Sequence, residues 1–217
     1  MTEIIFPLDQ SELSFTAAGG SSVRRTVLPS GVRVLTEQMP GAQSVSISFT
    51  VAVGSRDETN GHFGSTHFLE HLLFLGTERF PTDEGLMAYV QRHGGQVNAS
   101  TRERTTDFFF ELPTQSFGAG LERLSDMLAH PRMNPDDQLR EREVLQAEFV
   151  AWSQDPAAQQ QFALYEGLPA VHPLRGFHAG NRDTLKVEMP AFQQALKDFH
   201  QQFYRTGQMT LSLVGPQ

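Results

Sequence analysis

Val45-Ser-Ile-Ser-Phe-Thr-Val-Ala-Val-Gly54 and Ser65-Thr-His-Phe-Leu-Glu-His-Leu-Leu-Phe-Leu75 are the two stretches on which the fold turns. In the first, apolar side chains stand at every second position from Val45 to Val53, the alternation of a strand with one buried face. In the second the spacing becomes helical and the apolar residues run almost all round the axis, which marks a helix packed inside the molecule. A polar loop over 55–63 separates them, so the period changes at Gly64.

Outward from this pair the pattern extends in both directions. Val27, Val32, Val34 and Leu35 flank Pro29-Ser-Gly31 and predict a hairpin turning at Ser30-Gly31. Residues 1–22 end in Ala-Ala-Gly-Gly-Ser-Ser and are expected to be a loosely ordered leader to one domain over 23–217. Downstream, Thr82 or Asp83 can cap a second helix that ends near Arg92, stopped by His93-Gly-Gly95. Two antiparallel strands are predicted over 96–101 and 105–112, and the unbroken Phe108-Phe-Phe110 predicts that the second is covered on both faces. Helices follow over 115–129, 135–153, 157–167 and 190–204, punctuated by prolines, before Met209, Leu211 and Leu213 predict a closing strand. The fold class is a single-domain α+β unit.

Composition narrows the chemistry. The 217 residues include no cysteine, so disulfides, thiolate metal sites and cysteine nucleophiles are excluded, and any metal must sit on histidine, carboxylate or carbonyl. Asp and Glu number 25 against 17 Lys and Arg, which leaves no basic stripe for nucleic acid. Glu3 stands where a signal peptide needs a positive segment, and no window approaches the length of a membrane span. The expectation is a soluble cytoplasmic protein without nucleic-acid or membrane partners.

His67-Phe-Leu-Glu70-His71 is the informative motif. Residues four apart share a helix face, so His67 and His71 can present two imidazoles to one cation, with Glu70 on the same face. A chance match in a chain of this length is on the order of one in a hundred. Two structural histidines and a surface acid are the plainer reading, but the three polar groups are embedded in an otherwise apolar helix. A catalytic zinc takes three protein ligands, and the predicted helix over 134–153 offers the third. There Glu141 and Glu148 lie at −4 and +3 from Leu145, on a stripe shared with Trp152. Core-facing carboxylates need partners. Glu148 is therefore read as the third ligand and Glu141 as an acid orienting a ligand or the attacking water. His62, His93, His130, His172, His178 and His200 lack such spacing and are read as structural.

With these residues the sequence resembles the inverted-motif zinc peptidases that include pitrilysin, insulin-degrading enzyme and mitochondrial processing peptidase. The match is His67-x-x-Glu70-His71 followed by Glu141 and Glu148, with Gly54-Ser-Arg-Asp-Glu58, Gly94-Gly-Gln-Val-Asn-Ala-Ser-Thr101 and Phe203-Tyr-Arg-Thr-Gly207 around it. From about Leu72 onward it most resembles the branch tied to pyrroloquinoline quinone biosynthesis, and the first third looks more like a small bacterial processing-peptidase branch. The resemblance implies a mostly antiparallel sheet covered by helices on one side, and one zinc ion per domain on His67, His71 and Glu148. It implies Glu70 as general base in the hydrolysis of extended peptides, the pyrroloquinoline quinone precursor peptide among them. It also implies that 95–101 is an edge strand on which substrate pairs, Asn98 and Ala99 holding the scissile region. A second homologous domain or subunit, or a homodimer, would close over the peptide. Tyr204-Arg205 belongs to the closing helix of this half. The alternatives are a non-catalytic peptide-binding or assembly subunit of the same fold and a zinc hydrolase of small molecules; manganese or cobalt would suit the same ligands.

Overall fold

The computed structural model describes residues 13–16, 21–58, 62–169, 172–175 and 179–216. Four strands come first: β1 (Leu13–Thr16), β2 (Ser22–Val27), β3 (Arg33–Gln38) and β4 (Ser44–Val51). Two helices follow, α1 (Ser65–Leu73) and α2 (Leu86–Arg92), then β5 (Gln96–Thr101) and β6 (Thr106–Pro113). The remainder is α3 (Phe117–Ala129), α4 (Pro135–Ser153), α5 (Pro156–Glu166), α6 (Pro190–Phe203) and β7 (Met209–Gly215). The strands form one seven-stranded sheet in the order β1-β2-β3-β7-β4-β6-β5. Only β3 and β7 pair in parallel; every other neighbouring pair is antiparallel.

Alternation decides which face is covered. Ile47, Phe49 and Val51 of β4, Phe108, Phe110 and Leu112 of β6, and Met209 and Leu211 of β7 are buried in one core. Phe68, Leu69, Leu72 and Leu73 of α1, Leu124 of α3, Leu145 of α4 and Leu196 of α6 pack into the same core. The opposite sheet face carries Ser46, Ser48, Asp107 and Glu111. Phe109 lies there too, 40% exposed, which corrects the expectation that β6 is covered on both sides. The triple phenylalanine is therefore an alternating strand with one apolar residue on its open face.

Two other differences concern β1 and α2. Leu13–Thr16, read from sequence as leader, pairs antiparallel with β2 as the outermost strand. Residues 1–12 and 17–20 of the expected leader, and His178, lie outside the described residues. The second helix begins at Leu86 after Gly85 rather than at Thr82, because the Thr82 hydroxyl donates to the Leu75 carbonyl (2.6 Å) and closes a turn instead of capping a helix.

The placement of α4 was easier to read. Asn134 accepts from the Asp136 amide and Pro135 opens the helix, so the start is fixed by its own sequence. Among the described residues no helix is long and apolar enough to cross a membrane.

Candidate active site

α1 is inserted with Phe68 and Leu69 fully buried and Glu70 only 8% exposed. Its N-terminus has no side-chain cap of its own, since Gly64 occupies the cap position with φ +88°. Glu58 substitutes from the preceding loop. Its two carboxylate oxygens accept from the Gly64 and Thr66 amides, both at 2.9 Å, and its negative charge complements the helix dipole. The register of α1, and with it the direction of His67 and His71, is set at this end.

The structure brings His67, His71 and Glu148 together, one donor atom from each lying within 4.8 Å of the others. His67 Nδ1 is 2.7 Å from the Ala179 carbonyl oxygen, and His71 Nδ1 is 2.8 Å from Glu141 Oε1. A carbonyl or a carboxylate oxygen only accepts, so in the neutral rings each Nδ1 carries the proton and each Nε2 the lone pair. The two Nε2 atoms face each other at 3.2 Å, with Glu148 Oε2 at 3.7 Å from His67 and 3.8 Å from His71. Two lone pairs and a carboxylate oxygen with no hydrogen to share among them repel one another unless a cation sits between. The donor set therefore fits a divalent metal of borderline softness, and each ring nitrogen not aimed at it is engaged by an oxygen.

Glu141 is placed on His71 Nδ1. Glu148 is the exposed member, its side chain 49% accessible against 16% for Glu141. Leu145 between them is buried, whereas Trp152, read as the end of the same apolar stripe, is 44% exposed and stands edge-on to Phe162.

Electrostatics separates the groups further. Burial lifts the Glu70 carboxyl above the usual range, against the opposing pull of the Thr101 hydrogen bond and the His67 and His71 charges. Burial pushes the His71 imidazolium down, but the hydrogen bond to Glu141 and the charges of Glu148, Glu141 and Glu70 outweigh it, so its pKa is raised. The Thr101 hydroxyl donates to Glu70 Oε2 at 2.5 Å, a contact that the sequence reading missed. His93 and His130 bond to Tyr89 and Asp126, four residues back, and His200 Nε2 lies 2.8 Å from the Leu128 carbonyl oxygen, 72 residues away in sequence. Tyr204 caps α6 and stacks on His200.

A cleft of about 770 Å³ opens over this cluster, lined by His67, Glu70 and Glu148, by β5 from Ala99 to Thr101, and by Trp152 and Phe162. β5 is the last strand of the sheet, so among the described residues one of its backbone edges is free of strand pairing. Ala99 lies along the cleft, and Asn98, which is exposed, bonds its side-chain oxygen to the Ala99 amide at 2.9 Å.

Fold and site thus define an α+β unit whose metal-donor cluster is assembled from two helices beside an open sheet edge. Residues 33–171 match the family described as Insulinase (Peptidase family M16), and the chain belongs to that family. It is similar to "Coenzyme PQQ synthesis protein F": the Pseudomonas syringae protein of that name is 58% identical over 201 residues, covering 93% of this chain and 26% of that protein. "Protease 3" of Escherichia coli is 34% identical over 185 residues, covering 84% of this chain and 19% of that protein. The crystal structure of pitrilysin superposes with a TM-score of 0.86 at 27% identity, covering 96% of this chain and 23% of that one. The Pseudomonas match takes in most of the first third, so likeness to this branch is not confined to the later two-thirds. The chain spans 19–26% of the length of these relatives.

Proposed function

We propose that the chain is the metal-bearing domain of a zinc endopeptidase that hydrolyses extended or unstructured peptides, with the precursor peptide of pyrroloquinoline quinone as its physiological substrate. The observation that carries the reading is the convergence of the His67 and His71 Nε2 atoms and the Glu148 carboxylate next to the buried Glu70. His67, His71 and Glu148 would hold the ion. Bound zinc would supply Lewis acidity, polarising the scissile carbonyl and bringing the pKa of a water to roughly 7.

The remaining work belongs to the chain. Glu70, its basicity raised by burial, takes a proton from the attacking water and delivers it to the leaving amine nitrogen. Thr101 occupies one of its oxygens and leaves the other for that proton. Glu141 fixes the ring of His71 and keeps its proton on Nδ1. The free edge of β5 aligns the peptide by main-chain pairing, with Asn98 and Ala99 beside the scissile region. An open cleft bordered by a sheet edge favours a polymeric substrate over a small ester or amide, which would call for an enclosed pocket.

In the same reading the working partner is a second homologous domain or subunit, or a second copy of the chain, that closes over the peptide, and the setting is the cytoplasm. Zinc analysis of wild-type chain and His71→Ala tests the ligand set: one zinc per chain is expected for the former and none for the latter. Undiminished zinc in His71→Ala refutes it.

A further inference from the structure

The segment after α5 returns to the metal-donor helices from far along the chain. Ala179, 112 residues beyond His67, supplies the carbonyl that accepts from His67 Nδ1. The approach is close: a Cβ built on Gly64 would stand 2.2 Å from the Gly180 Cα and 3.1 Å from the Ala179 carbonyl carbon. Gly180 has φ +83°, and a Cβ there would meet Leu185 Cδ1 at 2.9 Å and the Gly64 oxygen at 3.4 Å. Leu185 is fully buried in the core and has little room to yield.

Beyond the crossing the segment is tied down. Asn181 Oδ1 accepts from the Asp183 and Thr184 amides at 2.8 and 3.0 Å, closing an Asx turn. The Arg182 amide donates to Gln146 Oε1 of α4 at 3.0 Å, and Arg182 Nε donates to Glu143 at 2.9 Å. Glu143 and Gln146 lie between Glu141 and Glu148 on α4. One stretch of chain therefore grips both donor-bearing helices.

We propose that residues 179–188 act as a positioning brace: the Ala179 carbonyl holds His67 in the tautomer that aims Nε2 at the metal, and the Arg182 contacts fix α4 relative to α1. The brace rests on the reading of His67, His71 and Glu148 as a zinc site. Because the acceptor is a backbone carbonyl, its position is set by the Gly64–Gly180 crossing rather than by any side chain.

The test uses metal-free chain carrying ¹⁵N-histidine, with two-bond proton–nitrogen correlations assigning the tautomer of His67, and chelator competition measuring the zinc dissociation constant. Wild-type His67 is expected as Nδ1–H. In Gly180→Ala that single tautomer is lost and zinc binds about 10- to 100-fold more weakly. Gly94→Ala is the control: Gly94 has φ +73° but nothing within 4 Å of a Cβ, so it carries similar backbone strain without the contact and retains wild-type values. Should Gly180→Ala not fold, Asn181→Ala loosens the same turn, with about tenfold weaker zinc expected. Folded Gly180→Ala or Asn181→Ala with wild-type tautomer and affinity overturns the brace, as does Nε2–H on wild-type His67 or equal weakening in Gly94→Ala. Wild-type chain that takes up no zinc overturns the proposed function instead, and the tautomer measurement still decides the brace.

Discussion

Replacing Glu141 with alanine removes the acceptor on His71 Nδ1 and leaves all three proposed zinc ligands in place. The contact is 2.8 Å long between side chains only 20% and 16% exposed, so solvent screens little of it. A hydrogen bond to a charged group contributes about 1.5–3 kcal/mol, and about 1.4 kcal/mol corresponds to tenfold in binding. The shielding places this pair at the upper end, and zinc is expected to bind Glu141→Ala about 100-fold more weakly. Glu141→Gln keeps an oxygen for the Nδ1–H but loses its charge, and about tenfold weakening is expected. The assay is chelator competition well above the pKa of His71. At lower pH the loss shrinks, because Glu141 also helps to hold that pKa up, and without it fewer protons compete with zinc. Arg140→Ala, which breaks the ion pair of an exposed arginine with Asp137 on the same helix, is the control and stays within about twofold of wild type. Wild-type affinity in Glu141→Ala refutes the reasoning.

Two further outcomes concern the buried acid. Burial raises the Glu70 pKa, so the folded chain binds this proton more tightly than the unfolded chain does; stability falls as pH rises from the unfolded value towards the folded one, and the cost persists above it. Metal-free Glu70→Gln should therefore melt higher than wild type at pH 7, the gain disappearing below the ordinary carboxylate range; a lower melting point at pH 7 contradicts this. Thr101→Val removes the hydroxyl on Glu70 at nearly constant shape and is expected to lower peptide turnover about tenfold, with Thr101→Ser restoring most of it. Equal activity in the valine variant shows that Thr101 does not position the base.

The periodic parts of the fold were legible because their causes are local. The switch from a two-residue to a helical period at Gly64 located β4 and α1, and Asn134-Pro135 located the start of α4. The His67–His71 pairing follows from helical spacing alone. Glu148 follows from spacing on α4 together with family resemblance, because no local rule says which face of α4 meets α1. The contacts that orient the cluster were hidden. A backbone carbonyl at Ala179 leaves no mark on the residue types around it, and its partner is 112 positions away. Glu58 was invisible as a cap because it acts from six and eight residues before the amides it binds. The Phe108–Phe110 run misled for the opposite reason, since an apolar residue on an open sheet face breaks the binary pattern without changing the strand.

The central claim is that Glu70 performs proton transfer at a zinc site held by the other three residues. It is tested most directly by loading wild-type chain and Glu70→Gln with zinc and following cleavage of an unstructured peptide containing the pyrroloquinoline quinone precursor sequence, at several protein concentrations. One zinc is expected in each protein, with cleavage by wild type and none by Glu70→Gln; cleavage by the zinc-loaded Glu70→Gln at the wild-type rate contradicts proton transfer by Glu70.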